Sequence, residues 1–485
     1  MNIIPHLLKE PDLYFKGNNP CIDPQVGLLK YGPHGGFGTS DLEHYVIRAG
    51  MIGTKSSIED TKEWLQRLAY RIIATESNTD YQGIDFPGLG KNSPLRFSID
   101  VDKNCLFEIS NEFYKELIVK ENDRKKRILN LCDEYCRVLD DVKEAHPQPD
   151  ILLLPIDEKI LKKCKPSGRK TDKIVYQRRE FGDPDSIHAE MFDFHNYIKA
   201  QAAIRGYVTQ FLTPKTLAFS DTKQPPSMIA WNFSVGVYYK ATGTPWKLAD
   251  IDVNTCYIGV SFYNEISEGI QSMRASIAQV YTRTGESQVI RGQPFMWDSR
   301  NLGRTVRLTS EQMQDIVNDA LAVYSRQRNQ KPTRVVIHKS TNFTENEIIG
   351  CRESCRNIAN LDIVHVDEYT RFRAYHDKND YPVVRGTLLG EGNEAMLFTT
   401  GYVPCLGTYP GPATPRPLRI SAQQLDTSMN LVSRDILGLS KLDWNSSAFY
   451  TRLPVTIGVS RKVGAIMAEL INFGGTPPQS YKFYM

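Results

Sequence analysis

The chain has 485 residues, 41% of them hydrophobic and 24% charged, a balance that suits two or three packed cores and not a disordered or fibrous chain. A net charge of +3 is close to neutral, so composition alone does not announce a nucleic-acid binder, and no apolar run approaches the ~20 residues of a membrane span. Met1 to Glu10 lack a signal-peptide layout, and the nine cysteines are too scattered for a disulfide framework, so a cytoplasmic protein is expected.

Val46–Ile52 reads as a strand closing on Gly53, and Ser57–Ile73 as a helix. Charged helical sequence runs from Asn111 to Glu144 and stops at Pro147 and Pro149. Ile151–Ile156 is an apolar strand followed by helix-like Asp157–Cys164, the βα unit of a parallel sheet. Between Lys159 and Arg179 nine residues are basic and only Asp172 is acidic, a stripe suited to phosphate contact or to a solvated loop. Ser186–Ile204 reads as a helix stopped by Gly206, Val208–Leu212 as a strand, and Met228–Lys240 as a helix ended by Gly243 and Pro245.

A second region starts near Trp246, which divides the chain into residues 1–245 and 246–485. Cys256–Tyr263 is a buried-type strand, with a β-meander expected after it. Thr309-Ser-Glu-Gln312 forms a capping box, and the helix it opens carries Met313, Ile316, Val317, Ala320, Leu321 and Tyr324 on one face. Arg334–His338, Ile363–Val366 and Ala395–Thr399 are strands, and a last helix lies near Arg461–Ile471. Thr408–Pro417, with four prolines, reads as an exposed loop. Cys132/Cys136 and Cys351/Cys355 share a spacing that resembles half a metal site, or are reduced thiols, since no companion pair lies nearby.

Three distant pieces carry chemistry. They are Phe194-His-Asn-Tyr-Ile-Lys199 with Thr209-Gln210, then Trp231 to Lys240 running on to Gly243-Thr-Pro-Trp246, and finally Tyr481-Lys-Phe-Tyr-Met485. His195 and Lys199, four residues apart, share one helical face. With Gln210 and Lys240 they would supply two cations, an imidazole and an amide to a terminal phosphate. Each residue alone has a plainer reading: a satisfied helix histidine, a lysine favoured at a helix C-terminus, a frayed tail.

Together the pieces resemble the MID domain of short prokaryotic Argonautes, and Asp23-Pro, Gly27-Leu, Tyr31-Gly-Pro33 and Arg48 to Gly53-Thr54 resemble the opening of that class. The resemblance spans nearly the whole chain. It implies an α/β protein in which a Rossmann-like MID domain precedes a ribonuclease-H-like PIWI domain. It further implies that His195, Lys199, Gln210, Lys240 and Met485 bind the 5′-phosphate of a guide. Gln210 and the Met485 carboxylate would also hold a bridging Mg2+.

Slicing members place acids on neighbouring strands to hold two metal ions. At the positions that resemble those acids this chain has Ser261, after Tyr257-Ile-Gly-Val260, and Lys339, after Val335-Val-Ile-His338. Arg461 stands near the last such position, while Asp250 and Asp252 read as loop carboxylates. A hydroxyl and an ammonium would not assemble two metals, so a cleavage-inactive protein is expected, its cations facing a guide–target duplex. Arg385, Arg416 and Arg419 are expected in the same groove. By resemblance the partners are a guide RNA, single-stranded target DNA, and a separate APAZ-containing effector with a sirtuin-like or TIR NADase or a nuclease. That heterodimer would oligomerise on target binding in prokaryotic defence. A slicing nuclease and an effector-independent nucleic-acid-binding protein are the alternatives.

Overall fold

The computed structural model describes residues 5–36, 44–75, 83–164, 194–219, 224–249, 254–267, 270–275, 279–281, 287–290, 292, 294–296, 305–375, 382–411, 413–469 and 478–485. Four parallel strands, β1 (Tyr45–Gly53), β2 (Phe97–Glu108), β3 (Ile151–Pro155) and β4 (Thr209–Leu212), form one sheet in the order β2-β1-β3-β4. All five residues of β3 are buried, as a strand covered on both faces requires. Its alternation splits the packing. Leu152 and Leu154 meet helices α2 (Arg124–Asp141) and α3 (Phe194–Ile204) through Leu131, Tyr135 and Ile198. Ile151 and Leu153 belong to the core of α1 (Lys55–Leu68) and α4 (Pro226–Ala241), with Trp64, Leu68 and Trp231. Helices on both faces of a parallel sheet make a doubly wound, Rossmann-like arrangement.

The second sheet has nine strands. Its centre holds β5 (Thr255–Val260), β6 (Gln279–Tyr281), β7 (Ser287–Val289), β8 (Arg334–Lys339) and β9 (Asn360–Asp367), in the order β7-β6-β5-β8-β9. The β5-β6-β7 steps are antiparallel and the β5-β8-β9 steps parallel, the strand pattern of a ribonuclease-H-like sheet. β10 (Leu418–Leu425) continues it antiparallel to β9. Cys256, Ile258, Val335 and Ile337 pack on one face with α5 (Ser310–Arg328) and α6 (Glu345–Ser354). Tyr257 and Val336 pack on the other with α7 (Met429–Leu439) and α8 (Val455–Ala468). A Cβ on Gly259 would stand 1.9 Å from the Thr456 carbonyl oxygen, so only glycine lets α8 lie this close to β5.

The Thr309–Gln312 capping box forms as expected and opens α5. Elsewhere local chemistry moves the boundaries. Asp123 caps α2, so the continuous helix expected over 111–144 breaks into Asn111–Lys120 and Arg124–Asp141. The helix expected from Ser57 to Ile73 is Lys55–Leu68, capped by Thr54. The proline-rich loop is not simply exposed, because Pro415 and Pro417 are buried and only Arg416 between them faces solvent. The N-terminal segment also crosses over: His6–Leu7 pairs with the strand Thr387–Leu389 of the second sheet, and Leu13–Tyr14 pairs with Lys247–Leu248. No helix of the described residues is long and apolar enough to cross a membrane.

Candidate functional site

β4 is the edge strand of the first sheet, and it lies between α3 and α4. The Thr209 carbonyl accepts from Lys199 Nζ at 3.4 Å and from Lys240 Nζ at 3.0 Å. Lys240 also donates to Gln210 Oε1 at 2.6 Å, and Lys199 to the main-chain oxygen of Met485 at 2.5 Å. The tail reaches this point because Tyr481, Tyr484 and Met485 are buried, with Tyr481 6.2 Å and Trp444 4.5 Å from the Tyr239 ring of α4. Four of the five expected pocket residues therefore share one hydrogen-bonded cluster. His195, exposed on the same helix as Lys199, joins it through the Phe211 ring, whose centroid is 4.5 Å away.

The electrostatics are unusual. Lys199 and Lys240 are 5% and 2% exposed, and among the described residues neither ammonium pairs with an Asp or Glu side chain. Burial pushes Lys199 down to about 7. Burial also holds Lys240 well below the ordinary lysine range, with the Lys199 and Lys462 charges adding to the effect. Packing around the His195 ring, then the Lys199 charge, lower its pKa to about 4; Asn196 opposes the fall. An arriving dianion would add countercharge that no Asp or Glu side chain among the described residues supplies to this cluster.

Of the groups expected to bind Mg2+, Gln210 Oε1 and the main-chain oxygen of Met485 each accept a hydrogen bond from a lysine.

In the second sheet, Val260 of β5 pairs with Lys339 of β8, so Ser261 and Lys339 stand at the same end of neighbouring strands. Lys339 does not face a groove. It is buried and donates to Glu347 Oε1 at 2.5 Å, with the Phe262 and Phe343 rings each 5.3 Å from its ammonium. Glu347 also accepts from the amides of Leu308 (3.0 Å) and Thr344 (2.8 Å). Burial lowers the Lys339 pKa while Glu347 opposes the fall. Arg461 lies in α8, but its side chain is outside the described residues, as are Asp250, Asp252 and most of the basic stripe.

Arg385 is likewise not in a groove. Its guanidinium is buried, pairs with Glu10 at 2.9 Å, and donates to Leu437 O (3.1 Å), Ser440 Oγ (3.0 Å) and the Thr399 carbonyl. Lys441 joins the same carboxylate at 2.9 Å and donates to Ile22 O at 2.5 Å. These residues clamp the N-terminal segment to the second sheet. Arg419 stays on the surface, paired with Glu394 at 2.9 Å.

One surface was missed in the sequence. Leaving β9, Tyr369, Phe372 and Tyr375 are exposed and alternate with Arg371 and Arg373. Arg452 donates to the Glu368 carbonyl at 2.5 Å and lies 3.9 Å from its carboxylate, while its Nε is buried without a partner. Burial, and then the charges of Arg416 and Arg373, lower the Arg452 pKa against the pull of Glu368. Arg416 and Arg373 thus lie close enough to act on the Arg452 guanidinium, beside exposed rings, a surface suited to phosphates and bases. Its signal was the run Tyr369-Thr-Arg-Phe-Arg-Ala-Tyr375.

No family model and no curated protein matches the chain in sequence. In structure it is similar over 99% of its length to the Argonaute of Clostridium butyricum bound to a guide DNA and a 19-mer target DNA, with TM-score 0.66 and 17% identity. Drosophila Piwi is similar with TM-score 0.59 and 14% identity over 99% of the chain, and A. aeolicus Argonaute with 0.56 and 12% over 98%. The chain spans about half the length of these proteins, 54%, 56% and 54% respectively. A parallel sheet wound on both faces, followed by a ribonuclease-H-like sheet, is thus an Argonaute-like fold.

Proposed function

We propose that this protein holds a nucleic-acid guide by its 5′-phosphate and presents it for pairing with a target strand that it does not cut. The observation that carries this reading is the convergence of two buried ammoniums, Lys199 and Lys240, on one carbonyl with no carboxylate side chain to neutralise them. A phosphomonoester is the ligand class that best supplies the missing charge. The arginine–aromatic surface around Arg452 suits the backbone of the same strand or duplex. The absence of cutting is supported by Lys339, whose ammonium is committed to Glu347 where a slicing enzyme would need an acid. The guide is RNA and the target single-stranded DNA in this reading. Pairing would activate an APAZ-containing effector in a heterodimer that oligomerises, as part of prokaryotic defence.

Binding of one oligonucleotide carrying either a 5′-phosphate or a 5′-hydroxyl tests the pocket. A marked preference for the phosphate is expected. Equal affinity for both ends would overturn it. Incubating the loaded protein with matched target and Mg2+ or Mn2+ tests the second half, and guide-dependent cleavage would refute it. Recovery of the chain from its native source without an APAZ-containing companion would refute the partner.

A further inference from the structure

β4 addresses its two neighbouring helices with adjacent residues. Gln210 turns to α4, where its amide oxygen meets Lys240 at 2.6 Å. Phe211, next along the strand, turns to α3. Its ring is 4.5 Å from the His195 ring, 6.1 Å from Phe194 in an edge-on contact, and 5.9 Å from the Lys199 ammonium. Its carbonyl receives the Gln210 side-chain amide at 3.2 Å, which leaves Gln210 Oε1 aimed at Lys240. One residue therefore contacts three of the four polar side chains in the cluster. The ring is half-buried, so it is neither a core residue nor a solvated one.

We propose that Phe211 is a positioning residue: it fixes His195 and Lys199 on α3 so that both meet the terminal phosphate held by the Lys199–Lys240 pair. The inference rests on the phosphate reading above. Its physical basis is that a half-exposed histidine and a long lysine side chain lose rotamer freedom when they bind, and a ring that already holds both removes part of that cost. The aromatic face also offers Lys199 a cation–π contact that an aliphatic side chain does not.

The test compares 5′-phosphorylated and 5′-hydroxyl guides on the same preparations of wild type, Phe211→Leu and Phe211→Tyr. Taking the affinity ratio cancels any difference in folded fraction. Leucine keeps most of the volume but removes the ring, and the phosphate preference should fall about tenfold. Tyrosine should restore it, a rescue that loss of packing volume alone does not predict. If wild type and Phe211→Leu discriminate equally, the inference is overturned while the pocket reading stands. A tyrosine variant as poor as leucine also overturns it. Equal wild-type affinity for both guides removes the pocket reading and this inference together.

Discussion

If the pocket holds a guide phosphate as proposed, its depressed lysines would make that binding depend on pH in a definite direction. Lys199 has a pKa of about 7 in the ligand-free protein. A bound phosphate dianion would raise it towards the ordinary lysine value, so binding above pH 7 must take up a proton. Above that pH each unit should weaken phosphate binding by up to tenfold for each lysine that has to be charged. From pH 7 to pH 9 Lys199 alone gives a loss of ~50-fold. Lys240, held well below the lysine range, steepens the slope. The phosphate does not offset this, because its second ionisation, near pH 6, is already complete. His195, at about 4, is neutral throughout.

Affinities of 5′-phosphorylated and 5′-hydroxyl guides, measured by anisotropy from pH 6 to 9.5, separate the pocket from the rest of the strand. Calorimetry at pH 8 in buffers of different ionisation enthalpy should report uptake of about one proton or more. Without guide, the sign for stability follows from the same depression. The unfolded chain binds a proton that folded Lys199 refuses, so folding should strengthen as pH rises from about 7 towards the ordinary lysine pKa. A phosphate preference that stays constant from pH 7 to 9, with no proton uptake, would refute the reasoning.

Two further substitutions separate structure from binding. Arg385→Met strips the half-buried Glu10 carboxylate of one of its two cationic partners and should cost about 1–3 kcal/mol in denaturant unfolding, leaving the guide affinity of the folded protein little changed. A large affinity loss at full stability would return Arg385 to the groove. Arg373→Ala and Arg416→Ala should instead leave stability nearly untouched and weaken strands of every sequence alike. Each should lower the slope of log affinity against log salt by about 1, and an unchanged slope would remove that surface from the interface.

How much could be read from sequence depended on how local the cause was. The capping box at Thr309 and the all-apolar β3 needed only neighbouring residues, and both formed where expected. The pocket joins Lys199 to a residue 286 positions away, so periodicity could suggest a shared face for His195 and Lys199 but not where Met485 lies. Only the family resemblance brought those pieces together. Arg385 was misplaced for the opposite reason: its partner Glu10 is 375 positions away, and a guanidinium has the same sequence signature whether it meets a phosphate or a half-buried carboxylate. Lys339 was more legible than its reading allowed. Glu347 sits eight residues on, in a second capping box with Thr344, and that pairing could have been suspected.

If the chain does not cut, as proposed, the Lys339–Glu347 pair also bears on whether cutting could be introduced. Glu347 does two jobs: it closes the capping box that starts α6, and it neutralises the buried ammonium at the end of β8. An acid at position 339 would put a second negative charge near the Glu347 carboxylate, whose side chain is 0% exposed, and would remove the ammonium that neutralises it. Lys339→Asp should therefore destabilise by about 3–5 kcal/mol or more and not assemble a metal site, and Ser261→Asp should not rescue it. Pairing it with Glu347→Lys should not recover the stability, because a lysine cannot accept from the Leu308 and Thr344 amides that Glu347 serves. Unfolding midpoints for the three variants, beside a cleavage assay in Mn2+, decide the matter. A stable Lys339→Asp variant that cleaves would mean that the ammonium is incidental. The expected result would mean that the folding of α6 is tied to the lysine at this position, so that introducing a metal-binding acid there would require changing the helix start as well as the strand.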